Sequence, residues 1–151
     1  PLTFLTPDTD PHEYWRVYVT QVNGGSQVLI AELEFRATED GDDQASGGTA
    51  TASDTAPVSG MSPDDAFDND PTTPNFWASG DPEPQWIAYQ FPAPVSVNAV
   101  QITAGEESGA FADAPKNFQV QYSDDGITWT TAFFAFDATG WGSLEARVFT
   151  R

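Results

Sequence analysis

Short segments of strict apolar/polar alternation are the feature that most limits how this chain can fold. Residues 14–20 (Tyr14-Trp15-Arg16-Val17-Tyr18-Val19-Thr20) and 118–123 (Phe118-Gln119-Val120-Gln121-Tyr122-Ser123) both alternate in this way. A period of two puts one set of side chains on each face of a strand, whereas a helix needs apolar residues to recur every three to four positions. Trp15, Val17 and Val19 therefore share an inward face. A second strand is expected over 28–36, with Leu29, Ala31, Leu33 and Phe35 on one face and Glu32 and Glu34 on the other, solvated one. Others are expected over 49–53, 86–91 (Ile87, Tyr89 and Phe91 inward), 95–103, 130–136 and 145–150. Asn23-Gly24-Gly25-Ser26 and Asp124-Asp125-Gly126 are turn signals. No amphipathic helix of useful length and no internal repeat is present. Many short strands joined by Gly/Pro/Asp turns predict an all-β chain, an antiparallel β-sandwich of the jelly-roll kind.

A chain of 151 residues is long enough for one core. We expect an N-terminal extension over 1–12 and a single domain over 13–151, with 37–60 as a long surface loop. Trp15, Trp86 and Trp129 lie in alternating patterns and are expected in the core. The 39% hydrophobic content, with 5 Trp and 11 Phe, argues against disorder despite a formal net charge of -18. Such a field repels phosphate backbones and anionic lipid, so no nucleic-acid partner is expected. There is no cysteine, which excludes disulfides, thiolate zinc sites and cysteine nucleophiles, and one histidine, His12, cannot build a multi-His metal site. No apolar run approaches the roughly 18 residues of a membrane span, so no membrane insertion is expected. Residues 1–7 show neither a basic nor an apolar signal region, which leads us to expect synthesis inside a cell and delivery by particle assembly. No nucleophile elbow, phosphate loop or histidine base near a serine is found, and the chain is expected to be non-catalytic.

One loop stands out chemically. Residues 62–73 (Ser62-Pro63-Asp64-Asp65-Ala66-Phe67-Asp68-Asn69-Asp70-Pro71-Thr72-Thr73) carry four carboxylates and two threonine hydroxyls. Carboxylates packed this closely repel unless a cation sits among them, and a hard cation with oxygen ligands, Ca2+ first, would turn the repulsion into stability.

Three segments together resemble the discoidin or coagulation-factor type C domain, the galactose-binding-like jelly roll that also includes many carbohydrate-binding modules. Residues 66–73 with Trp77 resemble its Ala-Phe-Asp-Gly-x-x-x-Thr-x-Trp loop, with two extra residues before the Trp. Residues 85–91 (Gln85-Trp86-Ile87-Ala88-Tyr89-Gln90-Phe91) resemble its Trp-Ile strand. Residues 114–129 resemble its Pro-x-x-Phe-x-Val-x-x-Ser-x-Asp-Gly-x-x-Trp segment and are the most specific. The likeness spans about residues 44–136. The family's closing strand pair, by contrast, resembles 13–17 and 31–35, at the front of this chain. That order resembles a circularly permuted form reminiscent of bacteriophage tail and virion proteins.

The resemblance implies one structural Ca2+ held by Glu32 and Asp68 through carboxylates, by Thr73, and by backbone carbonyls of Ala31, Asp65 and Asp70. It also implies a ligand surface on loops at one end of the sandwich. Phe111 and Trp141, flanked there by small residues, are the expected sugar-stacking aromatics. The function so implied is an adhesion or structural module of a phage-like virion (tail, fibre or decoration protein), binding cell-surface glycans or other virion subunits and forming homo-oligomers. The alternative is a calcium-stabilised carbohydrate-binding module of a secreted bacterial protein.

Overall fold

The computed structural model describes residues 10–151 except Ser59 and Thr73. Its strands are β1 (His12–Val22), β2 (Leu29–Ile30), β3 (Glu32–Arg36), β4 (Thr49–Ala52), β5 (Trp77–Ala78), β6 (Gln85–Val95), β7 (Ala99–Thr103), β8 (Pro115–Ser123), β9 (Thr130–Ala135) and β10 (Ala146–Thr150). A 3-10 helix (Pro63–Phe67) and one short helix, α1 (Ser108–Ala112), lie in the loops. Of the expected N-terminal extension, 1–9 fall outside the described residues, and His12 already belongs to β1.

β1 is the middle strand of a five-stranded sheet ordered β4-β6-β1-β8-β9, and a three-stranded sheet ordered β10-β7-β3 faces it. All pairings are antiparallel. The register sets the core. Val17 lies opposite Ile87 on β6 and Val120 on β8, and all three are fully buried. From the other sheet Leu33, Phe35, Val100 and Ile102 enter the same cluster. Burying each such side chain stabilises the fold by about 1.5–3 kcal/mol, which favours this pairing over a one-residue slip that would turn the set to solvent. Aromatic contacts cross the layers: Phe35 meets Phe91 edge-on at 6.0 Å, and Phe118 meets Phe149 at 4.9 Å. The chain is an antiparallel β-sandwich.

Three expectations need correcting. Residues 28–36 do not form one strand. The chain changes sheet at Ala31, so Leu29 and Ile30 pair with β5 while Glu32 begins a ladder with β7. Glu32 is consequently 6% exposed rather than solvated. Trp86 and Trp129 are only half-buried, on the outer face of the five-stranded sheet. Once Ile87, Tyr89 and Phe91 take the inward positions of β6, the pleat sends Trp86 outward.

Candidate functional site

The acidic loop is folded by its own side chains. Asp65 Oδ2 accepts from the backbone N–H (2.8 Å) and hydroxyl (2.6 Å) of Ser62, closing the 3-10 turn. Ala66 and Phe67 are buried, and the Phe67 ring lies 4.9 Å from Tyr89 and 6.2 Å from Phe35. This anchor turns Asp68 toward Glu32. Asn69 then adopts φ 62, a left-handed conformation that Asn tolerates better than most residues. The Asp70 N–H donates to both Glu32 Oε1 (3.0 Å) and Asp68 Oδ1 (2.8 Å). The Asp70 carboxylate points away and accepts from Thr72 and Asn75; the Thr72 hydroxyl above all holds its carboxyl below the ordinary value.

Glu32 and Asp68 therefore form a carboxylate pair under the loop. Burial first, and then the hydrogen bond and charge of Asp68, push the Glu32 carboxyl up to about 8. Of the other expected cation ligands, Ala31 is buried with its N–H donating to the Thr103 carbonyl at 2.9 Å. The Asp65 and Asp70 side chains are engaged inside the loop, and Thr73 lies outside the described residues. Among the described residues no three acidic or histidine side chains converge. Two facing carboxylates, one of them buried, are donor chemistry suited to a hard cation.

At the same end lies a cleft of about 430 Å³, walled by Gln27 and Leu29, by Val58 and Met61, by Pro74 and Phe76, and by residues around α1 from Gly105 to Ala110 with Asp113. Its apolar floor is Leu29, Met61, Phe76 and Ala110, which pack on the buried Ala56 and Ala78 beneath. Backbone and side-chain bonds fix the walls. The Gly25 N–H donates to the Ala112 carbonyl (2.9 Å) and the Leu29 N–H to that of Asp113 (3.0 Å). Asp113 also accepts from the Ser26 N–H and the Gln27 amide. Gly105 has to be glycine, because a Cβ there would stand 2.5 Å from that of Ala110. The rim carries Glu106 and Glu107, so the cleft offers an apolar floor beside carboxylate acceptors.

The two expected stacking aromatics do not line it. Trp141 is 6% exposed; its Nε1 donates to the carbonyls of Ala138 (2.9 Å) and Pro115 (3.2 Å). The Arg147 guanidinium covers its ring at 4.3 Å. Trp141 is thus core rather than an exposed platform, because its N–H is satisfied only when turned inward. Phe111 sits on α1 but is half-buried against the main core. The aromatic that reaches the cleft is Phe76. Its neighbour Trp77 is fully buried and paired in β5, and alternation turns Phe76 the other way.

An antiparallel β-sandwich with an apolar cleft and carboxylates at its loop end is an architecture suited to holding a ligand. The F5/8 type C domain model matches residues 49–146, and the chain belongs to this family. F5/8 type C domains are carbohydrate- or ligand-binding modules and are generally non-catalytic. The match contains the acidic loop and most of the cleft, while β1, β2 and β3 lie outside it. No curated protein and no solved structure matches the chain.

Proposed function

We propose that this chain is a non-catalytic adhesion module that takes a cell-surface glycan in the loop-end cleft. The supporting observation is the cleft itself: an apolar floor with Phe76 for a sugar's C–H face, beside carboxylates that accept from hydroxyls. In this reading one Ca2+ is held by Glu32 and Asp68, with backbone oxygens of Ala31, Asp65 and Asp70 and with Thr73. The ion supplies positive charge that lets both carboxylates ionise, and so it clamps the acidic loop to β3; its role is structural. The carrier in this reading is a phage-like virion, as a tail, fibre or decoration protein, with other subunits or further copies of the chain as neighbours. This part of the reading rests on the early position of the strand pair that resembles the family's closing strands.

The test is a glycan array probed with the purified domain in calcium buffer. Specific hits that vanish with Phe76→Ala are the expected result. A blank array from folded, calcium-loaded protein would overturn glycan binding and leave a structural role in an assembly.

A further inference from the structure

The outer face of the five-stranded sheet is unlike the rest of this acidic surface. Of the 23 Asp and Glu residues, β1, β4, β6, β8 and β9 together hold only Glu13. The register places Trp86, Tyr18, Gln119 and Phe134 side by side in one row across four strands. Three inter-strand spacings make that row about 14 Å long. Phe134 is 54% exposed and stacks parallel to Phe136, 5.8 Å away. In the next row Arg16 lies beside Gln121 and Thr131. Its guanidinium sits 4.1 Å from the Trp129 ring and 5.4 Å from that of Trp86, and it makes no ion pair among the described residues.

The hydrogen bonds on this face have a direction. Gln121 Oε1 accepts from Arg16 Nε (2.7 Å), and Gln119 Oε1 accepts from Gln121 Nε2 (2.9 Å) and Thr131 Oγ1 (2.8 Å). The amide oxygens are used internally. Both Arg16 Nη groups, Gln119 Nε2 and the indole N–H groups of Trp86 and Trp129 have no protein partner among the described residues. Around Arg16 the face therefore presents donors and aromatic rings, and this cation is held in place by the rings beside it.

We propose that this face is a second ligand site, separate from the loop-end cleft, for a glycan chain bearing carboxylates. The pyranose rings would lie along the Trp86–Phe134 row, and a uronate carboxylate would take the free edge of Arg16, the bidentate geometry that guanidinium favours. This site does not depend on the cleft binding anything.

The test is titration of the whole chain with a short oligogalacturonate and with its carboxyl-reduced counterpart, read by tryptophan fluorescence. At about 0.15 M salt the Debye length is about 8 Å, so distant carboxylates are screened while a contact pair is not. We expect the acid to bind at least tenfold more tightly than the reduced oligomer, and Arg16→Gln to remove that preference. Phe134→Ser, at an exposed position where folding is not at stake, should weaken binding several-fold, and Phe76→Ala should leave it unchanged. Equal binding of both oligomers, or no binding to folded protein, would overturn the proposal. So would binding lost in Phe76→Ala but kept in Arg16→Gln, which would assign it to the cleft. A concentration-dependent dimer abolished by Phe134→Ser, without oligomer binding, would instead assign the face to a second copy.

Discussion

Replacing Glu32 with Gln tests the carboxylate pair directly. Its folded value of about 8 stands against an ordinary 4.5. A carboxyl whose folded value is raised contributes fully below the ordinary value and loses stability as pH climbs toward the folded one. Between these limits the native state holds a proton that the unfolded chain releases. At 1.36 kcal/mol per unit the whole span is worth about 5 kcal/mol, and roughly 3 of that falls between pH 5.5 and 8. Gln keeps the size and the acceptor for the Asp70 N–H but cannot ionise. Urea unfolding in chelator should therefore show the wild type losing about 3 kcal/mol more than Glu32→Gln over that range, the other acids being common to both. Calcium should reverse the order at pH 8, with wild type gaining stability and the variant little. A variant with the wild-type pH slope in chelator would refute the buried-pair argument, and an identical calcium response in both would refute the cation.

Trp141→Ala should cost about 3–5 kcal/mol in urea unfolding while the folded fraction keeps its glycan affinity. A stable Trp141→Ala protein that loses its ligand would contradict the inward placement. Gly25→Ala brings a Cβ to within 2.7 Å of the Ala112 carbonyl and 1.9 Å of Asp113 Oδ1. Because the carbonyl is backbone, the wall must shift, and a loss of about 1–3 kcal/mol is expected. Faster amide exchange over 25–29 and 110–114 would report it; unchanged exchange and stability would show the turn to be looser than its contacts imply.

The strands were legible because one sheet face is buried throughout, so alternation writes the core directly into β1, β6 and β8. The break at Ala31 was not, since Leu29, Ile30 and Leu33 are equally apolar whichever sheet they join. The outward position of Trp86 was legible, since Ile87, Tyr89 and Phe91 inward commit their neighbour to the outer face, against the general preference of Trp for the core. Trp141 is a loop residue with no alternation to read, and its burial comes from packing on the core and from acceptors at Ala138 and, on β8, at Pro115. The pairing of Glu32 with Asp68 came from family likeness. The cleft came from neither source, as its walls are four segments brought together only by the fold.

The place of β1 between β6 and β8 also governs when the sheet can form. Arg16 and Gln121 are hydrogen-bonded across 105 residues of sequence. An N-terminal strand with Trp15, Val17 and Val19 on one face thus waits unpaired until most of the chain has been synthesised. Long-range pairing of this kind slows folding, and an unpaired apolar strand invites association with other chains. Most of the 23 acidic residues lie in the loops that follow β1, and their mutual repulsion would keep unfinished chains apart. The extreme charge would then serve the interval between synthesis and closure as well as the finished surface.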